Sequence, residues 1–238
     1  MRSSARCIPI RPTRPAIGKP SGRWIRSTMF SATPIRWKIT VVPFWSWRMA
    51  AKRKPSKARL ARIEMIIFDF DGVLTDNYVF VGENGERYKR FWVPDGVGVY
   101  LGHRAKVKFA IITGNSDKST MHRAKHLRID EVYQTIYDKG VAYKELKQKH
   151  GLTDDQCLFI GDDLPDRPIF EQVGIGVAPV DAHPGIRKLA HWVGTSPSGR
   201  GIVREAIDAV LDARGFQWPQ SDGDSDGTKR RTTRRRTQ

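Results

Sequence analysis

Asp69 and Asp71 stand two residues apart at the end of the apolar run Ile66-Ile67-Phe68, and a turn glycine, Gly72, follows at once. Residues i and i+2 of a strand project to the same side, so both carboxylates can address one point. Carboxylates placed this way can bind a hard divalent cation, and one of them can attack phosphorus. A lone pair of this kind is more often two solvated loop acids. Three further polar groups, each closing a later apolar run, turn the balance. Thr113 ends VKFAIITGN, where its hydroxyl and the backbone N–H groups of Gly114 and Asn115 can hold a phosphate oxygen, although a threonine capping a turn looks the same locally. Lys139 follows in VYQTIYDKG, where its ammonium can offset the charge of a nucleophilic carboxylate and a phosphoryl group. Asp162 and Asp163 end CLFIGDDLPD, with Asp166 four residues past Asp162. Three acids at one strand end are costly unless a cation sits among them.

The elements that must carry these groups alternate. Apolar runs at 64–70, 107–112, 131–134, 157–160, 174–178 and 191–194 read as strands, and helical patterns fall near 95–104, 116–127, 140–150, 165–172, 184–190 and 201–213. Asp95 and Ser116 are candidate helix N-caps. This is the βαβ pattern of an α/β, doubly wound parallel sheet, which binds ligands just beyond the carboxyl ends of its strands. One segment departs from it. YVFVGENGERYKRF holds two β-rich runs around Asn84-Gly85, so a β-hairpin flap follows strand 1 and no large cap domain is present.

Charge divides the chain. Residues 1–62 hold 16 Lys and Arg and no Asp or Glu. Residues 63–220 hold 20 basic and 22 acidic residues, so the formal net charge of +17 comes from the tails. Three segments follow: a basic leader over 1–62 without regular structure, a folded domain over 63–215, and a low-complexity basic tail over 216–238. The leader has three readings. It is sequence upstream of a true start at Met49, an organellar presequence, or an arm that binds nucleic acid or anionic lipid through its arginines and tryptophans. Two cysteines exclude a disulfide framework and a cysteine-based zinc site, and Cys157 reads as a small core residue. No apolar stretch approaches the ~18 residues that span a bilayer, which points to a cytoplasmic protein with no membrane partner.

The ordered set FDFDGVLTD, IITGN, DKG and GDDLPD resembles the haloacid dehalogenase superfamily of Mg-dependent phosphatases, and more closely the 3-deoxy-D-manno-octulosonate 8-phosphate phosphatase family. The resemblance runs over about residues 63 to 213 and includes the hairpin, the DGVGV turn, VYQTIYDKGVAYKEL and PSGRGIVRE. It implies that Asp69 is the nucleophile. Asp71 would be the acid and then the base, and its backbone carbonyl would bind Mg²⁺. Thr113 and Lys139 would hold the phosphoryl group, and Asp162 would complete the metal site with Asp69. Gly114, Asn115 and Arg200 would contact substrate, and Asp163 and Asp166 would orient Lys139 or metal-bound water. A homotetramer with hairpins paired across subunits is also implied. The family often carries a basic residue where this chain has Asn115, which opens related nonulosonate 9-phosphates as substrates. The rival from another class is a nucleic-acid-binding protein on the same scaffold that uses its basic tails.

Overall fold

The computed structural model describes residues 52–217. The readings made for Met49, for the leader up to residue 51 and for the tail from residue 218 lie outside the described residues. In chain order the elements are α1 (Lys57–Ala61), β1 (Met65–Phe68), β2 (Phe80–Val81), β3 (Arg87–Tyr88), α2 (Val93–Arg104), β4 (Lys108–Ile112), α3 (Lys118–His126), β5 (Glu131–Tyr133), α4 (Lys139–His150), β6 (Cys157–Ile160), α5 (Arg167–Phe170), β7 (Ile175–Ala178), α6 (Pro184–Leu189), β8 (Trp192–Val193) and α7 (Ile202–Ala213). Six strands form one parallel sheet in the order β5-β4-β1-β6-β7-β8. The chain starts at the central strand and winds out on both sides, so the switch point lies at β1.

Strand alternation builds the two faces. Ile66, Phe68, Ile111, Leu158 and Ile160 point to one side and join Val99, Leu127, Val203 and Ile207. Met65, Ile67, Ala110, Ile112 and Phe159 point to the other and join Tyr143, Leu146, Ile169 and Ile186. Both faces are covered, which is why these strands read as unbroken apolar runs. Each large aliphatic or phenyl side chain among them contributes about 1.5–3 kcal/mol by leaving water. Cys157 is among them, buried and free. β2 and β3 pair antiparallel as the expected hairpin, with Gly85 at its turn.

Three local readings are corrected. The folded body begins before residue 63. Ser56 caps α1, and Leu60 of that helix is buried in the core, although its basic neighbours make the segment look like unstructured leader. Asp95 is not a cap: α2 starts at Val93, with Pro94 in the first turn where its missing N–H costs nothing. Asp95 instead turns inward, and its Oδ1 accepts the Arg204 backbone N–H at 2.8 Å, tying α2 to the start of α7. The residue before α3 is Asp117, not Ser116. Among the described residues no helix is long and apolar enough to cross a membrane.

Candidate active site

The carboxyl ends of β1, β4 and β6 meet the amino end of α4 around a cleft of about 380 Å³. Asp69, Asp71, Thr113, Gly114, Asn115, Lys139 and Asp162 all line it, together with Asn77, Asp163, Pro165 and Asp166. Arg200 does not: it is exposed on the turn before α7. A second hollow of about 410 Å³, between α2 and α3, is lined by Val93, Val97, Tyr100 and Arg123 among others and offers no carboxylate.

Asp69 follows the last residue of β1, and its Oδ1 accepts the Phe70 N–H at 2.7 Å. The Lys139 ammonium stands 2.9 Å from the same oxygen and donates to Asp166 Oδ1 at 2.6 Å. Asp166 Oδ2 accepts the backbone N–H groups of Asp162 and Asp163, at 2.9 and 3.3 Å, so it both holds the turn after β6 and orients Lys139. Asp163 caps the short 3₁₀ turn Leu164–Asp166. Asp162 Oδ2 accepts from Asn77 Nδ2 at 2.8 Å. One oxygen each of Asp69, Asp162 and Asp166 lie within 4.8 Å of one another.

Electrostatics mark this cluster as short of positive charge. Burial pushes Asp69 up to about 8, with Asp166 adding to the rise and Lys139 opposing it. Burial likewise pushes Asp162 up to about 7, helped by Asp166 and Asp163, while the Asn77 hydrogen bond pulls the other way. Asp166 is raised by burial against the pull of Lys139. Burial would lower the Lys139 ammonium, but Asp69 and Asp166 outweigh it and the net shift is upward. Three carboxylates facing one ammonium, with oxygen donors only, suit a hard divalent cation.

Asp71 is held differently. Its Oδ1 accepts from Thr75 Oγ1 at 3.2 Å, and its Oδ2 accepts from Asn115 Nδ2 at 3.0 Å and from Lys89 Nζ at 2.8 Å. Thr113 is buried at the end of β4, and its hydroxyl oxygen accepts the Asn115 N–H at 3.2 Å. Gly72 is required where the turn crosses Asp162. Its φ is +81°, and a Cβ there would lie 2.0 Å from Asp162 Oδ2. Gly199, at φ +59°, lets the turn before α7 press on the backbone of Thr75 and Asp76, where a Cβ would approach to 2.2 Å.

Asn77, Lys89 and Asp117 are absent from the sequence-based set. Lys89 sits in ERYKRF, which reads as a solvated hairpin arm. The available signal was its two-residue spacing from Arg87, since both side chains then leave the hairpin on one face, and both reach Asp117.

The fold and this cleft are those of a haloacid dehalogenase-like hydrolase, and residues 105–205 match the model of that family. The 3-deoxy-D-manno-octulosonate 8-phosphate phosphatase KdsC of Escherichia coli K12 is 39% identical over 158 residues, 66% of this chain and 84% of its own length. The same-named protein of Yersinia pestis is 42% identical over 156 residues, 66% of this chain and 83% of its own length. A crystal structure of the Yersinia pestis phosphatase superposes with a TM-score of 0.66 at 41% identity, over 67% of this chain and 86% of that one. The Moraxella catarrhalis phosphatase, solved with magnesium, phosphate and KDO, superposes with a TM-score of 0.66 at 32% identity, over 67% of this chain and 92% of that one. The chain belongs to the 3-deoxy-D-manno-octulosonate 8-phosphate phosphatase family and is a hydrolase of phosphoric monoesters.

Proposed function

We propose that the protein is a Mg²⁺-dependent phosphatase that works through an aspartyl-phosphate on a phosphorylated sugar acid, 3-deoxy-D-manno-octulosonate 8-phosphate first. The convergence of Asp69, Asp162 and Lys139 at one point, from three elements far apart in sequence, carries this reading. Asp69 is the nucleophile. Its oxygen attacks phosphorus, the ester P–O bond breaks, and Asp71 gives a proton to the departing alcohol oxygen. Water then attacks the aspartyl-phosphate, and Asp71 takes the proton back. Lys139 and Thr113 hold the phosphoryl oxygens, and Gly114 and Asn115 border the rest of the substrate. The Asp69 and Asp162 carboxylates and the Asp71 carbonyl would hold Mg²⁺, which when bound supplies charge to offset the phosphoryl oxygens. Its fit follows from the charge shortage among the buried acids.

Asn115 leaves a second sugar open. Its amide donates to Asp71 and Asp117, at 3.0 and 3.1 Å, and adds no positive charge to the cleft. A nonulosonate 9-phosphate is therefore the alternative substrate within the same chemistry. The hairpin leaves Tyr78, Phe80, Val81 and Tyr88 exposed, which supports a homotetramer paired through this element. We place the enzyme in the cytoplasm. Turnover of a panel of phosphorylated sugars and sugar acids, with and without Mg²⁺, tests the assignment. Highest kcat/KM on an octulosonate 8-phosphate with Mg²⁺ is the expected result. No turnover of any sugar phosphate, with tight salt-dependent nucleic-acid binding instead, would favour the rival role of the basic tails.

A further inference from the structure

We propose that Lys89, carried by the hairpin, is a positioning residue for the second half of this reaction. The inference rests on the aspartyl-phosphate reading above. The hairpin turns its apolar side chains outward, yet the Lys89 side chain is 0% exposed. Its ammonium lies 2.8 Å from Asp71 Oδ2 and 2.7 Å from Asp117 Oδ2, and 5.2 Å from the centre of the Phe70 ring. An ammonium is buried at such a place only when it is paired. Asn115 Nδ2 donates to the same two carboxylates, and Thr75 Oγ1 donates to the other oxygen of Asp71. Asp117 is fixed in turn by Arg87 at 2.8 Å. Asp71 is therefore clasped from three elements, with donors on both oxygens. The direction in which that carboxylate faces is thereby fixed.

The second half-reaction needs such a group. A water oxygen attacks the phosphorus of the aspartyl-phosphate, and the P–O bond to Asp69 breaks with its electron pair returning to the Asp69 carboxylate. The water proton passes to Asp71, and inorganic phosphate leaves. Asp71 enters this step as the carboxylate, because it gave its proton to the alcohol in the first step. Lys89 is the one member of the clasp that comes from the hairpin segment, so it ties that segment to the aim of the base. Without it, Asp71 keeps only its neutral donors Asn115 and Thr75 and its aim loosens, and a positioned base is worth about 10²–10⁴ in rate.

The test uses the full chain with Mg²⁺ and 4-nitrophenyl phosphate, whose leaving group needs no acid. For Lys89→Met, kcat falls at least about 30-fold and KM falls with it. Because kcat/KM reports only steps through release of nitrophenolate, it stays within about threefold of wild type. Nitrophenolate then appears as a burst of one equivalent per site, which counts the trapped aspartyl-phosphate. Lys89→Arg restores most of kcat, since a guanidinium can bridge the same carboxylates. Should Lys89→Met fail to fold, Asp117→Asn leaves Lys89 one carboxylate and gives the same split in weaker form. Equal losses in kcat and kcat/KM with no burst would mark Lys89 as merely structural and overturn the inference, as would an unchanged kcat. Wild-type protein inert toward both the aryl phosphate and the sugar phosphates would overturn the phosphatase mechanism itself, and this inference with it.

Discussion

Asp95, at the seam of α2 and α7, and the cluster of Asp69, Asp162 and Asp166, at the carboxyl edge of the sheet, are both buried, and both hold protons more tightly than solvated acids do. Burial pushes Asp95 up to about 6 against hydrogen bonds from the backbone of Arg204 and Gly201 and the more distant charges of Arg123 and Arg204. One of its oxygens is bonded and the other has no hydrogen-bond partner among the described residues. Such a group serves the seam best as the neutral acid. In the cleft Asp166 also raises Asp69 and Asp162, and of the three acids a single lysine pairs with two, Asp69 and Asp166. A lone buried acid settles its cost with a proton. A cluster of them can settle it with a metal ion, and thereby becomes a site.

The largest way to break this comparison is Asp69→Asn. It removes the nucleophile from the cluster while keeping its shape, and turnover should drop at least about 10⁴-fold. A smaller loss, measured on any substrate the wild type cleaves, would show that the cluster is not where the bond is broken. Next comes Lys139→Met, which leaves buried carboxylates without their cation. Denaturant melts at neutral pH without divalent ions should show a cost of about 3–5 kcal/mol. Third, Mg²⁺ at a hundredfold over its dissociation constant should stabilise the wild type by about 2.7 kcal/mol. Asp69 and Asp162 hold their protons to about 8 and about 7, so that gain should be small below pH 6 and grow as pH rises through 7 and 8. A gain that is flat with pH would mean that the ion binds elsewhere.

An effect of similar size, confined to a pH window, belongs to Asp95→Asn. The folded-state value lies above the unfolded one, so this carboxyl's contribution is complete below about pH 4 and is lost as pH passes 6. The variant does not titrate there. Its stability relative to wild type should therefore improve by about 2–3 kcal/mol between pH 4 and pH 7. Parallel melting curves for the two proteins over that range would remove Asp95 from the account.

Much of this was legible in the residues, for a physical reason. Strands covered on both faces must be apolar throughout, so β1, β4, β6 and β7 announce themselves, and the polar residues that close those runs fall on the cleft. What stayed hidden depends on contacts that local pattern does not encode. Leu60 is the one large apolar side chain in its short helix, and its fit against the core is invisible to local pattern. Asp95 carries the side chain of a cap, but its partner is an N–H more than a hundred residues away. Asn77 and Lys89 lie in loops that look solvated, and both point inward only because acids wait there. Arg200, by contrast, sits in a motif-like turn whose glycines the fold needs, while the residue itself is exposed and is not part of the cleft lining.

The turn at Gly199 rests on the loop that follows the nucleophile, and α7 is anchored beside it through Asp95. The residues that open the cleft thus leave the ribosome well before the segment that braces them. A nascent chain halted before residue 198 would carry every cleft carboxylate and still lack that support. Competence should therefore arrive late, when the last helix docks.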